Sequence, residues 1–272
     1  MNQLLSIHFM NYIKMLKKEW LIFNHAIIFF TRIPIQQSFE YQKEYERKAL
    51  RYIPLVGGIV GLSSSIIFLI SYLFFSLEIS VFFSMLMSIV LTGAIHEDGF
   101  ADFCDSMGGM TPEKRLEIMK DSTIGTFGVI GLVGSLLGKF LFLTHIPPSQ
   151  MAKVIISGHV LSRLSVIFIM QLLPYAGIKR FSKSLTLTET DHSINLYIAC
   201  VITAFFFIYF SFLMVISIIV ISIIIVYLYY FFKKTIGGYT GDYLGATQQL
   251  SELTHYLVMI LIYQYIDCNP TV

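Results

Sequence analysis

Charged residues are scarce in this chain: Asp, Glu, Lys and Arg make up 13% of its 272 residues, against about a quarter in soluble globular domains. Cysteine is scarce as well, and the three copies show neither the number nor the spacing of a disulfide framework or a zinc site. Residues 1–20 carry charges and lack the apolar run of a cleavable signal peptide. The abundance of hydrophobic residues, 56%, and the mean hydropathy of +0.72 predict an integral membrane protein.

Six apolar runs approach the length of a membrane span, which needs about 20 mostly apolar residues. They lie at 52–76, 79–95, 129–146, 154–174, 196–232 and 253–267. The run 196–232 is too long for one straight helix across a hydrocarbon core of ~30 Å, so we predict two short helices with a turn near 209–213. The expected fold is an all-α polytopic bundle of about seven transmembrane helices in a single domain, 1–272. A short re-entrant or interfacial helix is expected at 21–31.

The distribution of basic residues predicts the orientation. Lys and Arg collect in the N-terminal segment and at 32–51, 114–120, 179–183 and 233–234, whereas the loops near 77–78 and 147–153 contain only Lys153. By the positive-inside rule the basic segments are cytoplasmic. The N-terminus is then inside and the C-terminus outside. We expect no nucleic-acid partner; the lipid bilayer is the partner that the composition predicts.

An acidic segment at 96–105, His-Glu-Asp-Gly-Phe-Ala-Asp-Phe-Cys-Asp, directly follows the second apolar run. On a helix, Asp98, Asp102 and Asp105 fall at i, i+4 and i+7 and share one face. Such carboxylates repel one another unless a cation or protons compensate them, and oxygen-rich sites suit Mg²⁺. A magnesium site is therefore the first hypothesis, and a solvated loop or a helix N-terminus is the structural alternative.

Two further segments of the predicted cytoplasmic side could bind an anion or a metal. The first, at 233–246, places four glycines around Asp242, so that backbone N–H groups can approach a phosphate. The second begins at Asp121, where hydroxyl side chains could contact a phosphate or simply cap a helix. The candidate phosphate contacts of the two segments are Gly237, Gly238, Thr240, Gly241, Ser122 and Thr126.

Ionisable residues inside the apolar runs also require an explanation, because a charge at bilayer depth normally faces a partner or a polar cavity. Lys139 and Arg163 are candidates for binding a polyanion, although Lys139 could also extend toward an interface. His159 could be a satisfied polar residue. His96, at the start of the acidic segment, could bind a metal or a substrate hydroxyl.

Together these segments resemble the cobalamin synthase family, also called adenosylcobinamide-GDP ribazoletransferases. Five ordered blocks between about Phe30 and Leu253 carry the resemblance, and a span lysine and a Ser-Arg pair add to it. The blocks are Phe30–Pro34, Pro54–Gly57, His96–Asp105, Glu117–Thr126 and Gly237–Ala246, with Lys139 and Ser162–Arg163 in the spans.

The resemblance implies a transferase in the cytoplasmic (inner) membrane of a bacterium, with its active-site loops facing the cytoplasm. It would join adenosylcobinamide-GDP to α-ribazole or α-ribazole 5′-phosphate and release GMP. Mg²⁺ would be held by Asp98, Asp102, Asp105, Asp242 and Asp121. Lys139, Arg163 and Arg32 would stabilise phosphate charge, and Asp105 or His96 would be the general base. The number of metal ions, the lower base that is accepted and a homo-oligomer stay open.

Three residues depart from the family pattern: Glu97 stands where leucine is common, Thr123 where arginine is common, and Gln249 where glutamate is frequent. Two alternative functions share some of these features. A CDP-alcohol-type phosphotransferase that makes a lipid also uses spaced aspartates at a membrane edge, but its motif has an arginine where Asp102 follows Ala101. A cation transporter could line a pathway with the same aspartates, but it has no evident need for the glycine-rich segment around Asp242.

Overall fold

The computed structural model describes residues 2–35, 43–177, 189–208 and 214–268, and within these ranges the secondary structure is helical. The helices are α1 Asn2–Phe30, α2 Lys43–Ala49, α3 Ile53–Tyr72, α4 Leu77–Thr92, α5 Ile95–Ser106, α6 Pro112–Ile118, α7 Thr126–Thr144, α8 Met151–Leu172, α9 Glu189–Ile208, α10 Met214–Thr235 and α11 Gly241–Cys268. A 3-10 turn at Leu50–Tyr52 joins α2 to α3. The predicted all-α class is confirmed.

Four helical stretches are long and apolar enough to cross a membrane: Arg47–Tyr72, Thr126–Thr144, Met151–Leu172 and Val215–Thr235. The pair α4 and α5 meets the same criterion jointly but is bent by 87°, which would make a fifth span. The apolar part of α9, Ser193–Phe207, is shorter. The predicted count of seven spans is therefore not confirmed, whereas the polytopic helical architecture is.

The run 196–232 and the N-terminal segment form helices that differ in how well they match the predictions. The run 196–232 is divided between α9 and α10 as predicted, although the turn predicted near 209–213 lies outside the described residues. The short N-terminal helix predicted at 21–31 is instead the last part of a longer helix, α1. Hydropathy missed the earlier part because its residues from 9 to 20 are mostly exposed and mix charged and apolar types. The buried apolar residues that the structure describes in α1, Ile22, Ala26 and Ile27, all lie within 21–31.

α8 lies at the centre of the bundle, since 78% of its apolar window is buried, against 22% for α7 and 28% for α10. The G-x-x-x-G pair on α3 explains the close contact between α3 and α8. A Cβ on Gly61 would lie 2.8 Å from the Cα of Ile156, and a Cβ on Gly57 would overlap the carbonyl oxygen of His159. These glycines therefore serve helix packing, as small residues do between membrane helices.

Two apolar core clusters occupy different ends of the bundle. One joins Phe68, Val81, Leu143, Met151 and Tyr256, and it lies at the end where α3 turns into α4 and α7 into α8. The other, at the opposite end, contains Ile53, Phe103, Met170, Phe232 and Tyr243. α11 contributes to both clusters, so it runs from one end to the other. The acidic and glycine-rich segments belong to the second end.

Candidate active site at an acidic helix crossing

The site starts at a sharp bend between α4 and α5. Gly93 and Ala94 both adopt left-handed backbone conformations, with φ of 66° and 60°, and α5 runs across the direction of α4 rather than continuing it. The backbone N–H of Arg32 donates to the carbonyl of Leu91 at 2.6 Å, and the Arg32 side chain fills the space that a Cβ on Gly93 would need. The predicted phosphate ligand Arg32 therefore lies beside the bend that leads into the acidic segment.

α5 and α11 cross at two glycines, and this crossing brings two predicted metal ligands together. A Cβ on Gly99 would lie 3.1 Å from the Cα of Asp242, and a Cβ on Gly245 would lie 3.1 Å from both the Cα of Gly99 and the carbonyl oxygen of His96. Gly99 thus makes room for a neighbouring helix, which the sequence did not indicate. Because the backbones approach closely, Asp98 and Asp242 line the same cavity.

The aspartates at this crossing repel one another. Burial raises the pKa of Asp102 to about 7, and the negative charges of Asp242, Asp98 and Asp105 act in the same direction. Burial also raises the pKa of Asp242 to about 6, with Asp98 adding to the effect, against hydrogen bonds from its own backbone N–H and from Thr240. A cation near these carboxylates would relieve the repulsion.

Asp105 has a different environment from the other aspartates. Its Oδ2 accepts a hydrogen bond from the backbone N–H of Gly125 and its Oδ1 one from Gly128, both at 2.7 Å. A carboxylate at a helix N-terminus satisfies free N–H groups and interacts favourably with the helix dipole. Asp105 therefore anchors the start of α7, and Gly125 and Gly128 lack the side chains that would exclude it.

The segment after α6 is more exposed than the aspartate cluster. Asp121 accepts hydrogen bonds from the Thr123 backbone at 3.0 Å and from its hydroxyl at 2.7 Å, and these bonds lower the Asp121 pKa. Ser122 and Thr126 are exposed. The segment forms a local turn, and the structure does not join its Asp121 to the pair Asp98 and Asp242.

The glycine-rich segment is held by the loop that follows α8. The Tyr239 backbone donates to the Pro174 carbonyl and accepts from the Ala176 backbone, both at 2.9 Å. The Thr240 hydroxyl accepts from the Tyr243 backbone at 3.3 Å and lies 3.4 Å from Asp242 Oδ2, as a helix N-cap does. The segment thereby presents Asp242 at the first turn of α11. Gly238 packs on Pro174, whereas Gly237 (φ 74°) and Gly241 have open space around them.

Lys139 and Arg163 lie in a buried polar network. Lys139 Nζ is 3.3 Å from Glu252 Oε1 and 3.9 Å from Glu97 Oε1. Arg163 Nη1 donates to the His159 carbonyl at 3.1 Å. Neither residue lines the cavity that contains Asp98 and Asp242. Lys139 therefore faces carboxylates within the bundle, and Arg163 faces the carbonyl and ring of His159. Their predicted contact with substrate phosphate stays a prediction.

Glutamine side chains connect the network to the acidic helix. Gln249 Nε2 donates to Glu97 Oε1 at 3.0 Å, and Gln248 Nε2 donates to Glu252 Oε2 at 2.6 Å. Sequence reasoning missed this role for Glu97, Gln248, Gln249 and Glu252. A signal was present, because polar residues recur along α11 at 248, 249, 252 and 255, and a helix in lipid turns such residues inward.

A cavity of about 280 Å³ opens at the crossing of α5 and α11. His96, Asp98 and Asp242 are its charged or ionisable lining residues, and three glycines contribute backbone. The other lining residues are apolar: Phe29, Phe30, Leu50, Ile53, Ile95, Val166, Met170 and Leu244. The cavity therefore has an amphiphilic lining, with carboxylates and an imidazole beside a hydrophobic surface.

The donor set suits a hard cation, since it consists of carboxylates. Among the residues that the structure describes, no three His, Cys, Asp or Glu side chains converge closely enough to hold a metal ion by themselves. Mg²⁺ often binds through one or two protein carboxylates and completes its shell with substrate phosphates and waters. Asp98 and Asp242, with Asp102 nearby, fit that mode of binding.

The fold and the site together define a helical membrane protein with an acidic, amphiphilic cavity at one end of its bundle. The model of the cobalamin-5-phosphate synthase family (CobS) matches residues 22–260. The chain belongs to this family, and the resemblance in the sequence is confirmed.

Curated relatives carry one name, adenosylcobinamide-GDP ribazoletransferase. The chain is 37% identical over 250 residues to the protein of Vibrio cholerae, covering 90% of this chain and 95% of the relative. It is 38% identical over 259 residues to that of Vibrio parahaemolyticus, covering 92% and 96%. It is 37% identical over 248 residues to that of Shewanella piezotolerans, covering 89% and 95%. No solved structure matches the chain. These relatives do not favour the lipid phosphotransferase or the transporter.

Proposed function

We propose that this protein is an adenosylcobinamide-GDP ribazoletransferase of the bacterial cytoplasmic membrane. It joins adenosylcobinamide-GDP to α-ribazole, or to its 5′-phosphate, and releases GMP. The observation that carries the proposal is the meeting of two distant segments, at Asp98 and Asp242, in one cavity. The family membership and the relatives' shared name support the same reaction.

The reaction is a displacement at phosphorus. A ribose hydroxyl of α-ribazole forms a new P–O bond to the phosphate that bears the cobinamide side chain, and the P–O bond to GMP breaks. The hydroxyl proton must pass to a base, and GMP leaves with the electron pair of the broken bond. Positioning and charge stabilisation provide most of the catalysis in such transfers.

Asp98, Asp102 and Asp242 would hold Mg²⁺, which would supply charge neutralisation at the diphosphate when bound. Of the two predicted bases, His96 lines the cavity, whereas Asp105 does not. Both Asp105 oxygens already accept backbone hydrogen bonds. We therefore assign proton acceptance to His96 and the anchoring of α7 to Asp105.

Exposed groups at this end of the bundle remain candidates for phosphate contact. Arg32 is exposed beside the bend between α4 and α5, and Gly237 and Gly241 are exposed in the glycine-rich segment. Because Lys139 faces buried carboxylates and Arg163 bonds to the His159 carbonyl, we expect both to act on the site through the packing of α5, α7, α8 and α11. The relevant contacts are those of Lys139 with Glu97 and Glu252.

The proposal is tested by reconstituting the purified protein in lipid with adenosylcobinamide-GDP, α-ribazole and Mg²⁺. We expect a coupled corrinoid product and one GMP for each product molecule, both abolished by chelation of the metal. Asp102→Asn should lower the rate at least a hundredfold, and Asp121→Asn should lower it much less. A folded wild-type protein that forms no coupled product would refute the transferase. Full activity in the presence of chelator would refute the Mg²⁺ requirement alone.

A further inference from the structure

The cavity of about 280 Å³ at the crossing of α5 and α11 is too small for a corrinoid. Ligand pockets of about 300–1,000 Å³ enclose drug-sized molecules, and a corrin ring with its side chains and upper adenosyl ligand is several times larger than a nucleoside. The size of the cavity therefore suits the smaller of the two proposed substrates, or the guanosine half of the larger one.

The chemical character of the lining distinguishes between these two nucleosides. Guanine has polar groups along its edges, and each of them would need a hydrogen-bond partner if it were buried. The benzimidazole base of α-ribazole is apolar around most of its ring. Most of the side chains that line the cavity are apolar, and Phe30, Val166 and Met170 lie among them. The lining therefore favours benzimidazole over guanine.

The polar groups lie where a ribose would need them. His96, Asp98 and Asp242 come from the two helices that cross at Gly99 and Gly245, whereas most apolar groups come from α1, the start of α3 and α8. His96 is 8% exposed, and its Nε2 has no hydrogen-bond partner among the described residues. A hydroxyl can either donate to or accept from an imidazole nitrogen, so a ribose that reached the His96 ring would satisfy this atom in either tautomer.

We propose that this cavity is the binding site for the nucleoside acceptor. The benzimidazole lies against Phe30, Val166 and Met170, and the ribose lies at His96 between Asp98 and Asp242. The assignment rests on the proposed transferase function. It adds that the identity of the accepted lower base is determined by the apolar wall that α8 contributes. The corrinoid then approaches the carboxylates from outside the cavity.

The test makes the cavity smaller at its apolar wall and leaves the polar end unchanged. Met170→Trp extends a larger side chain into the cavity, and Met170→Leu is the matched control because it nearly conserves volume. Equilibrium dialysis of detergent-solubilised protein, without Mg²⁺ and without corrinoid, measures the Kd for α-ribazole. We expect Met170→Trp to raise this Kd at least tenfold and Met170→Leu to change it less than threefold. The KM for adenosylcobinamide-GDP should stay within twofold in both variants.

A size series separates cavity filling from a general structural effect. The Met170→Trp variant should bind the riboside of unsubstituted benzimidazole with a smaller loss than the riboside of dimethylbenzimidazole. If Met170→Trp does not fold, Val166→Phe also reduces the space at this wall, and we expect it to raise the Kd for α-ribazole in the same way. An unchanged Kd for α-ribazole, a loss that is equal for both ribosides, or a rise only in the KM for the corrinoid would overturn the assignment.

These outcomes are distinct from failure of the proposed function. A wild-type protein that forms no coupled corrinoid product would refute the transferase whatever the binding data show. A wild-type protein that forms product, but whose Met170 variants change only corrinoid binding, would leave the transferase intact and refute the nucleoside cavity.

Discussion

At the scale of single residues, two departures from the family pattern contact each other. Glu97 and Gln249 share a hydrogen bond of 3.0 Å between Gln249 Nε2 and Glu97 Oε1. The carboxylate that the resemblance leads us to expect at position 249 is therefore present one hydrogen bond away, on α5. In the buried network, Lys139 lies beside two carboxylates, Glu97 and Glu252. Arg163 is linked to them through His159, whose Nδ1 lies 3.8 Å from Glu252 Oε2.

We predict that exchanging the side chains at positions 97 and 249 restores most of the stability that Glu97→Gln alone removes. Glu97→Gln leaves Lys139 with one carboxylate, Glu252, and breaking a buried ion pair from one side costs about 3–5 kcal/mol. Adding Gln249→Glu to this variant places a carboxylate beside the original one, so we expect most of the lost free energy of unfolding to return. Chemical unfolding in detergent measures the free energies. A double variant no more stable than Glu97→Gln would show that the location of the charge matters, not its presence.

Asp105 gives a second prediction at this scale. Asn at this position would face one of its N–H groups toward a backbone donor, so one of the two hydrogen bonds at Gly125 and Gly128 must be lost. We expect Asp105→Asn to lower the free energy of unfolding by about 1–3 kcal/mol, the penalty for an unsatisfied polar group.

The measurement is an unfolding curve without Mg²⁺, with Asp121→Asn as the control. Asp121 is exposed and bonds only within its own turn, so its variant should change stability by less than about 0.5 kcal/mol. If Asp105→Asn left stability unchanged but weakened Mg²⁺ binding, Asp105 would be a metal ligand rather than an anchor.

At the scale of helices, glycines determine where the site forms. The crossing of α5 and α11 depends on Gly99 and Gly245, since each occupies the space in which the other would place a side chain. The aspartates at positions 98 and 242 belong to the turns that surround these glycines. The distance between the helix axes therefore sets the distance between the carboxylates.

A methyl group should be enough to disturb this crossing. Gly99→Ala would place a Cβ 3.1 Å from the Cα of Asp242, and overpacking of this kind typically costs about 1–3 kcal/mol. We expect transferase activity to fall at least tenfold, because Asp98 and Asp242 must separate. The same coupled assay that tests the function measures this loss.

Gly134→Ala on α7 is the matched control. No atom outside the adjoining backbone of α7 lies within 4 Å of the added Cβ, and alanine favours a helix over glycine by about 1 kcal/mol. This variant should keep full activity and unfold at an equal or higher denaturant concentration. Equal losses of activity in the two variants would contradict the importance of the crossing.

The sequence predicted the helices and the acidic and glycine-rich segments because hydropathy and spacing are local properties. It could not predict which groups would be partners across helices. Lys139 is an ionisable residue in a span on any reading, but Glu252 becomes its partner only through the packing of α7 against α11. The need for a glycine at position 99 could not be predicted either, because the approach of α11 is a non-local fact.

At the scale of the whole molecule, the two apolar core clusters define two ends of the bundle. The turns at 73–76 and 145–150 lie at the end with Phe68, Leu143 and Met151. The acidic helix and the glycine-rich segment lie at the end with Phe103, Phe232 and Tyr243. The distribution of Lys and Arg predicts that this second end faces the cytoplasm.

Four exposed positions test this orientation in a chain whose native cysteines are replaced by serine. Met110→Cys and Lys234→Cys lie at the predicted cytoplasmic end, and Glu78→Cys and Lys153→Cys lie at the other. A membrane-impermeant maleimide should label the second pair in intact spheroplasts and the first pair only after permeabilisation. The inverse pattern would reverse the orientation but keep the site, because Met110 and Lys234 would still share a side. Labelling of these two from opposite sides would separate Asp98 from Asp242 across the bilayer, and no shared cavity could then exist.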